Sequence, residues 1–528
     1  MKGQCLGFQL GTSKHLLKNV AEISLKNESL RIIYVVGAVA VISFVLLASF
    51  LLASQLPVLD DDSLQSIIQL PDAPVYVGVT YSGSNLTEAR MLIDKVKNCT
   101  NLFVLQSGTL ETNISATNTI CRYAVDSGLH FIVYFSAVPT YQKYVTAFLS
   151  TVDVWGSNLL GIYFDDEPGG KMLDAPDINM YDNTTHSIIR KNSTLIEVTQ
   201  ENGTQIVYTN NGLVEIHTAD YYATYNSDGT IQLKVDKLGR NPAEYLIQPN
   251  KTVFLLDDNG NVNGQLNDTS ILPQIESYQQ IMVKKPFQNY DETEQIFVGT
   301  IQNSTGWLHD QTYLKAFTSD YALYWYDYKG GFDVVLAELG WNHTTAQDIA
   351  LARGAANLQG KDWGAIVTWK YNYPERVNFP DRQYGPYLGS GDEMYNQLRQ
   401  AYEAGAKYLV IFNYPTYPNN NPYGVLQDDH FLALQQFWSD TVQNKTVIHG
   451  GNKAETALVL PRNYGWGMRN PQDNIWGLWQ ADDSSKQVWM ALQDALVNKG
   501  AKLDIIYDDP AYPFVGRYMQ LLYWNQTR

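Results

Sequence analysis

Cysteine, histidine and positive charge are all scarce in this chain of 528 residues, which has 3 Cys, 8 His and 37 Lys plus Arg against 54 Asp plus Glu. Three cysteines are too few for a disulfide-stapled scaffold or a zinc site built from four thiolates. The histidines form no HExxH motif and no two- or three-His cluster at ligand spacing, so a metal-dependent hydrolase is not expected. A formal charge of −17 repels nucleic acid, and the sequence has no basic stripe to offset it. Neither GxGxxG nor a P-loop follows the first strand-like run, and there is no GxSxG elbow. Nucleotide-binding and serine-hydrolase classes fall away with them, and no cofactor is expected.

What the chain does have is apolar and aromatic mass: 45% hydrophobic residues, 36 Tyr and 12 Trp. That is ample for a large core, and flat amphipathic rings also suit sugar faces. Ile32 to Ser54 carries no charge over a length that spans a hydrocarbon core of roughly 30 Å. Lys2, Lys14, Lys18, Lys26 and Arg31 precede it and Asp60, Asp61 and Asp62 follow it, the polarity of an N-in signal anchor. The expectation is a cytoplasmic tail (1–31), one transmembrane helix (32–54), a linker (57–72) and an extracellular remainder. A cleaved signal peptide is the alternative, but its apolar region is shorter and no small-x-small cleavage site follows. Twelve Asn-x-Ser/Thr sequons after the span fit a glycosylated outer face. Cys99 and Cys121 then lie outside and are candidates for a disulfide.

Beyond the linker, strand-like and helix-like segments alternate. Strand-like runs fall at 75–83, 101–108, 130–138, 159–168, 332–342, 364–371 and 408–415, nearly continuous in apolar residues as in parallel sheets covered on both faces. Counting QIVYTNNG (205–212) gives eight, the number of a (β/α)8 TIM barrel over 73–443. A β-rich insertion is expected at about 213–307, with hairpin turns at Ser227-Asp228-Gly229 and Asp258-Asn259-Gly260. Residues 446–528 read as a small C-terminal α/β lobe. Alternatively ALVLP (457–461) is itself the eighth barrel strand and 205–212 belongs to the insertion.

Barrel chemistry sits at the C-terminal ends of the strands. The residues expected there are Tyr81; Asp165, Asp166 and Glu167; Asn210; Glu338 and Trp341; Trp369 and Tyr371; Asn413 and Tyr414. Carboxylates, amides and flat rings are what glycosidic cleavage calls for: one acid to protonate the leaving oxygen and a second carboxylate opposite it. Crowding raises the pKa of one acid into a useful range. Strand alternation sends Asp165 and Glu167 to one side and Asp166 to the other, so the first two are the leading catalytic pair, with Glu338 the second candidate.

LLGIYFDDE (159–167) resembles the fourth-strand signature of family-18 chitinases, Asp-Gly-apolar-Asp-apolar-Asp-x-Glu, at Gly161, Ile162, Phe164, Asp165 and Glu167. Leu160 and Tyr163 stand where that family has acids. The stretch is also similar to one in spherulin-4-like barrel glycosidases. The family-18 resemblance implies Glu167 as proton donor and Asp165 as the group that holds the substrate's N-acetyl arm. The expected function is therefore membrane-anchored extracellular glycoside hydrolysis. The alternative is a non-catalytic glycan-binding or cell-envelope protein on the same scaffold.

Overall fold

The computed structural model describes residues 75–526 except 137, 175–177, 183–186, 192–194, 210–212, 236–242, 271, 278–279, 282–288, 341–343, 372–386 and 414–427. The chain divides into two compact units, Met1–Ala73 and Pro74–Arg528. The expected tail, membrane span and linker belong to the first and lie outside the described residues. Among the described residues no helix is long and apolar enough to cross a membrane.

Four strands open the second unit: β1 (Tyr76–Tyr81), β2 (Leu102–Leu105), β3 (His130–Phe135) and β4 (Leu159–Phe164). The chain then leaves for an antiparallel sheet of β5 (Ile178–Asp182), β6 (Ser187–Lys191), β7 (Leu195–Gln200), β8 (Gln205–Thr209), β9 (Val214–His217), β10 (Tyr221–Tyr225), β11 (Ile231–Val235), β12 (Ala243–Ile247), β13 (Val253–Leu256) and β14 (Val262–Gln265). Each of these pairs with its sequence neighbour, a ten-stranded meander. The path returns through β15 (Lys315–Asp320), β16 (Val334–Leu339) and β17 (Asp362–Val367), makes a two-stranded ribbon from β18 (Lys370–Tyr371) and β19 (Tyr387–Leu388), and ends the barrel at β20 (Tyr408–Ile411). The order β1-β2-β3-β4-β15-β16-β17-β20 closes on itself, with every pair parallel. This is a (β/α)8 barrel.

The helices outside it are α1 (Leu86–Val96), α2 (Ile114–Asp126), α3 (Val138–Leu149), α4 (Val152–Trp155), α5 (Pro168–Asp174), α6 (Tyr290–Gln311), α7 (Tyr324–Lys329), α8 (Thr345–Gln359), α9 (Gly391–Glu403) and α10 (Asp428–Trp438). Side-chain caps start several of them. Asn85, Asn113, Asn289 and Ser390 accept backbone N–H groups in the first turns of α1, α2, α6 and α9. Asn85 and Asn113 are sequon residues, and Asn202 and Asn250 accept the N–H of Thr204 and Thr252 in hairpin turns of the meander. Part of the sequon count therefore reflects capping and turn chemistry, which favours Asn two residues before a turn N–H.

Three expectations are corrected. Residues 205–209 are β8, inside the meander, and the fifth barrel strand is Lys315–Asp320. Its apolar signal is confined to Ala316 and Phe317, and its polar end runs straight towards α7, so the segment reads as the start of a helix. The residues 457–460 are not a barrel strand either. They belong to β21 (Thr456–Leu460), the centre of a three-stranded parallel sheet with β22 (Leu503–Tyr507) and β23 (Gln520–Tyr523). The insertion's sheet also begins at Ile178 rather than near 213, because β5–β8 are short strands without a long apolar run. The two expected hairpin turns are present, each with glycine at positive φ (Gly229 at 82°, Gly260 at 80°).

The lobe is completed by α11 (Asp483–Lys499), opened by a reciprocal cap between Asp482 and Ser485. It is joined to the barrel through a buried ion pair. Arg353 of α8 donates from Nε to Asp504 Oδ1 of β22 at 2.7 Å, and from its other nitrogens to the carbonyls of Asn452, Ala501 and Leu503, each at 2.9 Å. Both side chains are almost fully buried, so these contacts replace the water each has lost.

Candidate active site

The end of β4 does not follow strand alternation. Tyr163 points into the barrel and Phe164 outward, against Phe332 of the helix layer at 5.1 Å between ring centres. Asp165 then takes φ +49° and Glu167 φ +56°, left-handed conformations that for non-glycine residues cost about 1–3 kcal/mol each where strained. The turn at Asp165 resets which side chain faces which way. The Asp165 carboxyl goes to Ser304 of α6 in the helix layer, where burial raises its pKa to about 6, and Asp166 faces the mouth instead. The expected Asp165–Glu167 pairing on one side is therefore replaced by Asp166 with Glu167.

This backbone is held from β15. Glu167 N–H donates to Ser319 O at 2.9 Å. Asp320 accepts from the N–H groups of Gly169 (2.5 Å) and Gly170 (2.8 Å), and from those of Tyr321 and Ala322. Both glycines are required by this approach. A Cβ on Gly170 would lie 2.1 Å from the Tyr321 ring, and one on Gly169 2.6 Å from Ala322 O. Asp320 is fully buried, and the equally buried Asp327 carboxyl faces it, driven towards its neutral form by burial and by the Asp320 charge. With the proton kept on Asp327, Asp320 is free to accept four N–H groups.

At the mouth, a hydrogen-bond chain links three strands. Gln106 Nε2 donates to the Tyr163 hydroxyl at 3.4 Å, and Tyr163 donates to Asp166 Oδ1. Ser319 Oγ lies 2.8 Å from the Tyr163 hydroxyl and 3.1 Å from Asp166 Oδ1, and donates to Glu338 Oε1 at 2.6 Å. The Glu338 carboxyl in turn contacts Glu167 by a hydrogen bond. Burial first, then the Asp166 charge, pushes Glu167 up to about 7, partly opposed by Lys171, whose Nζ is 3.8 Å away. Beside this chain, Tyr134 packs edge-on against Tyr163 at 5.2 Å, and buried Glu111 accepts from the N–H (2.6 Å) and Oγ (2.8 Å) of Ser136. Three carboxylates thus meet at one end of the barrel, Asp166, Glu167 and Glu338, with Glu111 held on Ser136. No group of three His, Cys, Asp or Glu among the described residues has the arrangement of a metal site.

The other sequence candidates are spread out. Tyr81 is fully buried outside the barrel, its hydroxyl donating to Asn85 O (2.7 Å) and accepting from Asn85 N–H (3.0 Å), so it anchors the start of α1. Trp369 is buried against His430, with ring centres 4.2 Å apart, and is a packing residue. Asn413 is buried, its N–H donating to Thr80 Oγ1 at 3.1 Å. Tyr371 is described only as backbone of β18, and Asn210, Trp341 and Tyr414 lie outside the described residues. Cys99 and Cys121 are both free and buried rather than bridged.

Sequence reasoning missed Tyr163, Ser319 and Gln106. Tyr163 had a legible signal, an inward position two residues after Gly161. Ser319 was hidden with its strand. No family model matches the chain, and no curated protein matches it in sequence. Fold and site together define a (β/α)8-barrel protein with an acidic, hydrogen-bonded cluster across the ends of β4, β15 and β16.

Proposed function

We propose that the chain is a glycoside hydrolase, carried on an N-terminal membrane anchor with its barrel outside the cell. The observation that carries this reading is the contact between Glu167 and Glu338 at the barrel mouth, with Glu167 raised to about 7. A carboxyl that keeps its proton near neutrality can donate it to a leaving glycosidic oxygen. Its partner must be an ionised carboxylate, and Glu338 has the Ser319 hydroxyl as a donor to hold it in that form. A hydrogen-bonded pair lies nearer the roughly 5–5.5 Å carboxyl separation of a retaining enzyme than the roughly 6.5–9.5 Å of an inverting one, so Glu338 is assigned as nucleophile and Glu167 as acid and then base. The substrate-assisted route of the family-18 resemblance has less support, since Asp165 is turned to Ser304.

The test is turnover of a glycan and aryl-glycoside panel by wild type and Glu167→Gln. Loss of about 10²–10⁴-fold on poor leaving groups, with a smaller loss on activated aryl glycosides, is expected of an acid. The first product should keep the anomeric configuration of the substrate. Inversion, or a variant as active as wild type, removes this mechanism. Glycan binding without any turnover would instead fit the non-catalytic reading.

A further inference from the structure

The opposite end of the barrel holds a second feature that this function does not use. A cleft of about 680 Å³ opens where the N-terminal ends of β17 and β20 meet α8 and the C-terminal lobe. That volume is within the roughly 300–1,000 Å³ of small-molecule sites. Arg353, Lys361, Lys407, Lys453 and Arg517 line it, against two carboxylates, Asp362 and Asp504. In a chain of net charge −17 with 37 cationic residues, five in one cleft is a strong local reversal of sign.

The pairings separate these five into two groups. Arg353 is consumed by Asp504 and three carbonyls, Lys361 by Asp333 at 2.8 Å, and Lys407 by Asp362 at 2.9 Å, which also takes Lys315. Lys453 and Arg517 have no carboxylate within ion-pair distance among the described residues, and Arg517 donates from Nη1 to Asn357 O at a long 3.5 Å. Both are exposed at the rim, while Trp363, buried, and Leu358 contribute apolar wall. A guanidinium fork and an ammonium across a cleft with an apolar wall match a doubly charged oxyanion on a small organic body.

We propose that this cleft binds a small organic phosphate or sulfate, its oxyanion held by Arg517 and Lys453 and its body against Trp363. The site lies at the end of the barrel away from Glu167 and Glu338 and stands independently of the glycosidase reading. The test is calorimetric titration of the full-length protein with glucose 6-phosphate, glucose 6-sulfate and inorganic pyrophosphate, with glucose as the uncharged control. Saturable binding of the anions but not of glucose is expected, weakening steeply as salt is raised. Lys453→Glu/Arg517→Glu should lose at least about tenfold in affinity with an unchanged melting temperature, because both residues are exposed and form no ion pair among the described residues. Absence of anion binding in wild type, or equal affinity in the variant, overturns the proposal. So does binding only to vesicles of phosphatidylcholine with phosphatidylglycerol, which would place the anion on a lipid surface.

Discussion

Ser319 Oγ donates to Glu338 Oε1 at 2.6 Å while lying 3.1 Å from Asp166 Oδ1, so one hydroxyl on β15 ties together carboxylates from β4 and β16. Its removal should be felt at both. A hydrogen bond to a charged group is worth about 1.5–3 kcal/mol, so Ser319→Ala is expected to lower kcat/KM roughly 10–100-fold. Ser319→Thr keeps the hydroxyl and should restore much of that loss. A Thr variant as slow as the Ala variant would leave Ser319 a packing residue only.

Glu167 predicts the alkaline limb. It acts only while protonated, so turnover should fall as pH rises through about 7. The same shift has a consequence for stability. Its folded pKa is raised above the ordinary 4.5, so the folded chain keeps a proton that the unfolded chain has released. The neutral form is the one the fold favours, and that contribution is full below about pH 4.5 and lost as pH rises through 7. Glu167→Gln has no charge to bury, so its melting temperature relative to wild type should climb between pH 5 and about pH 8. A pH-independent difference would contradict the raised pKa.

Gly170→Ala should be costly and Gly306→Ala harmless. A Cβ at Gly170 meets the Tyr321 ring at 2.1 Å, whereas one at Gly306, within α6, meets nothing within 4 Å. Overpacking of this kind costs about 1–3 kcal/mol, while Gly to Ala inside a helix gains roughly 0.5–1 kcal/mol. Chemical denaturation of the two variants measures the contrast. Gly170→Ala should also lose activity, because α5 begins beside Glu167.

Arg353→Met should detach the lobe from the barrel. It leaves Asp504 buried with only the neutral Tyr518 hydroxyl (2.9 Å) and Asn357 side chain as partners and strips three carbonyls of their donor. Breaking a buried pair from one side costs about 3–5 kcal/mol, and the double variant Arg353→Met/Asp504→Leu should recover part of it. Proteolysis of the lobe, read against the barrel, reports the loss.

Much of the barrel was legible because seven of its strands are continuous apolar runs, the pattern forced on a sheet covered on both faces. The eighth was not, since KAFTSD buries Thr318, Ser319 and Asp320 by hydrogen bonding rather than by apolarity. The acids of DDEPGG were legible as a cluster, but their directions were not. Alternation assumes extended backbone, and two left-handed residues held by Thr318 and Ser319, distant in sequence, cancel it. Tyr81 and Trp369 were legible as strand-end residues, but their packing against α1 and His430 was not, because no local pattern encodes it.

The meander enters between the fourth and fifth barrel strands, so it divides the barrel into two equal halves, β1–β4 and β15–β20. Glu167 belongs to the first half, and Ser319 and Glu338 to the second. Neither half alone holds both Glu167 and Glu338, and the two meet only when β4 takes its register on β15, Gly161 opposite Lys315. A chain severed at a turn of the meander would therefore yield two fragments whose reunion is reported by the return of the site itself.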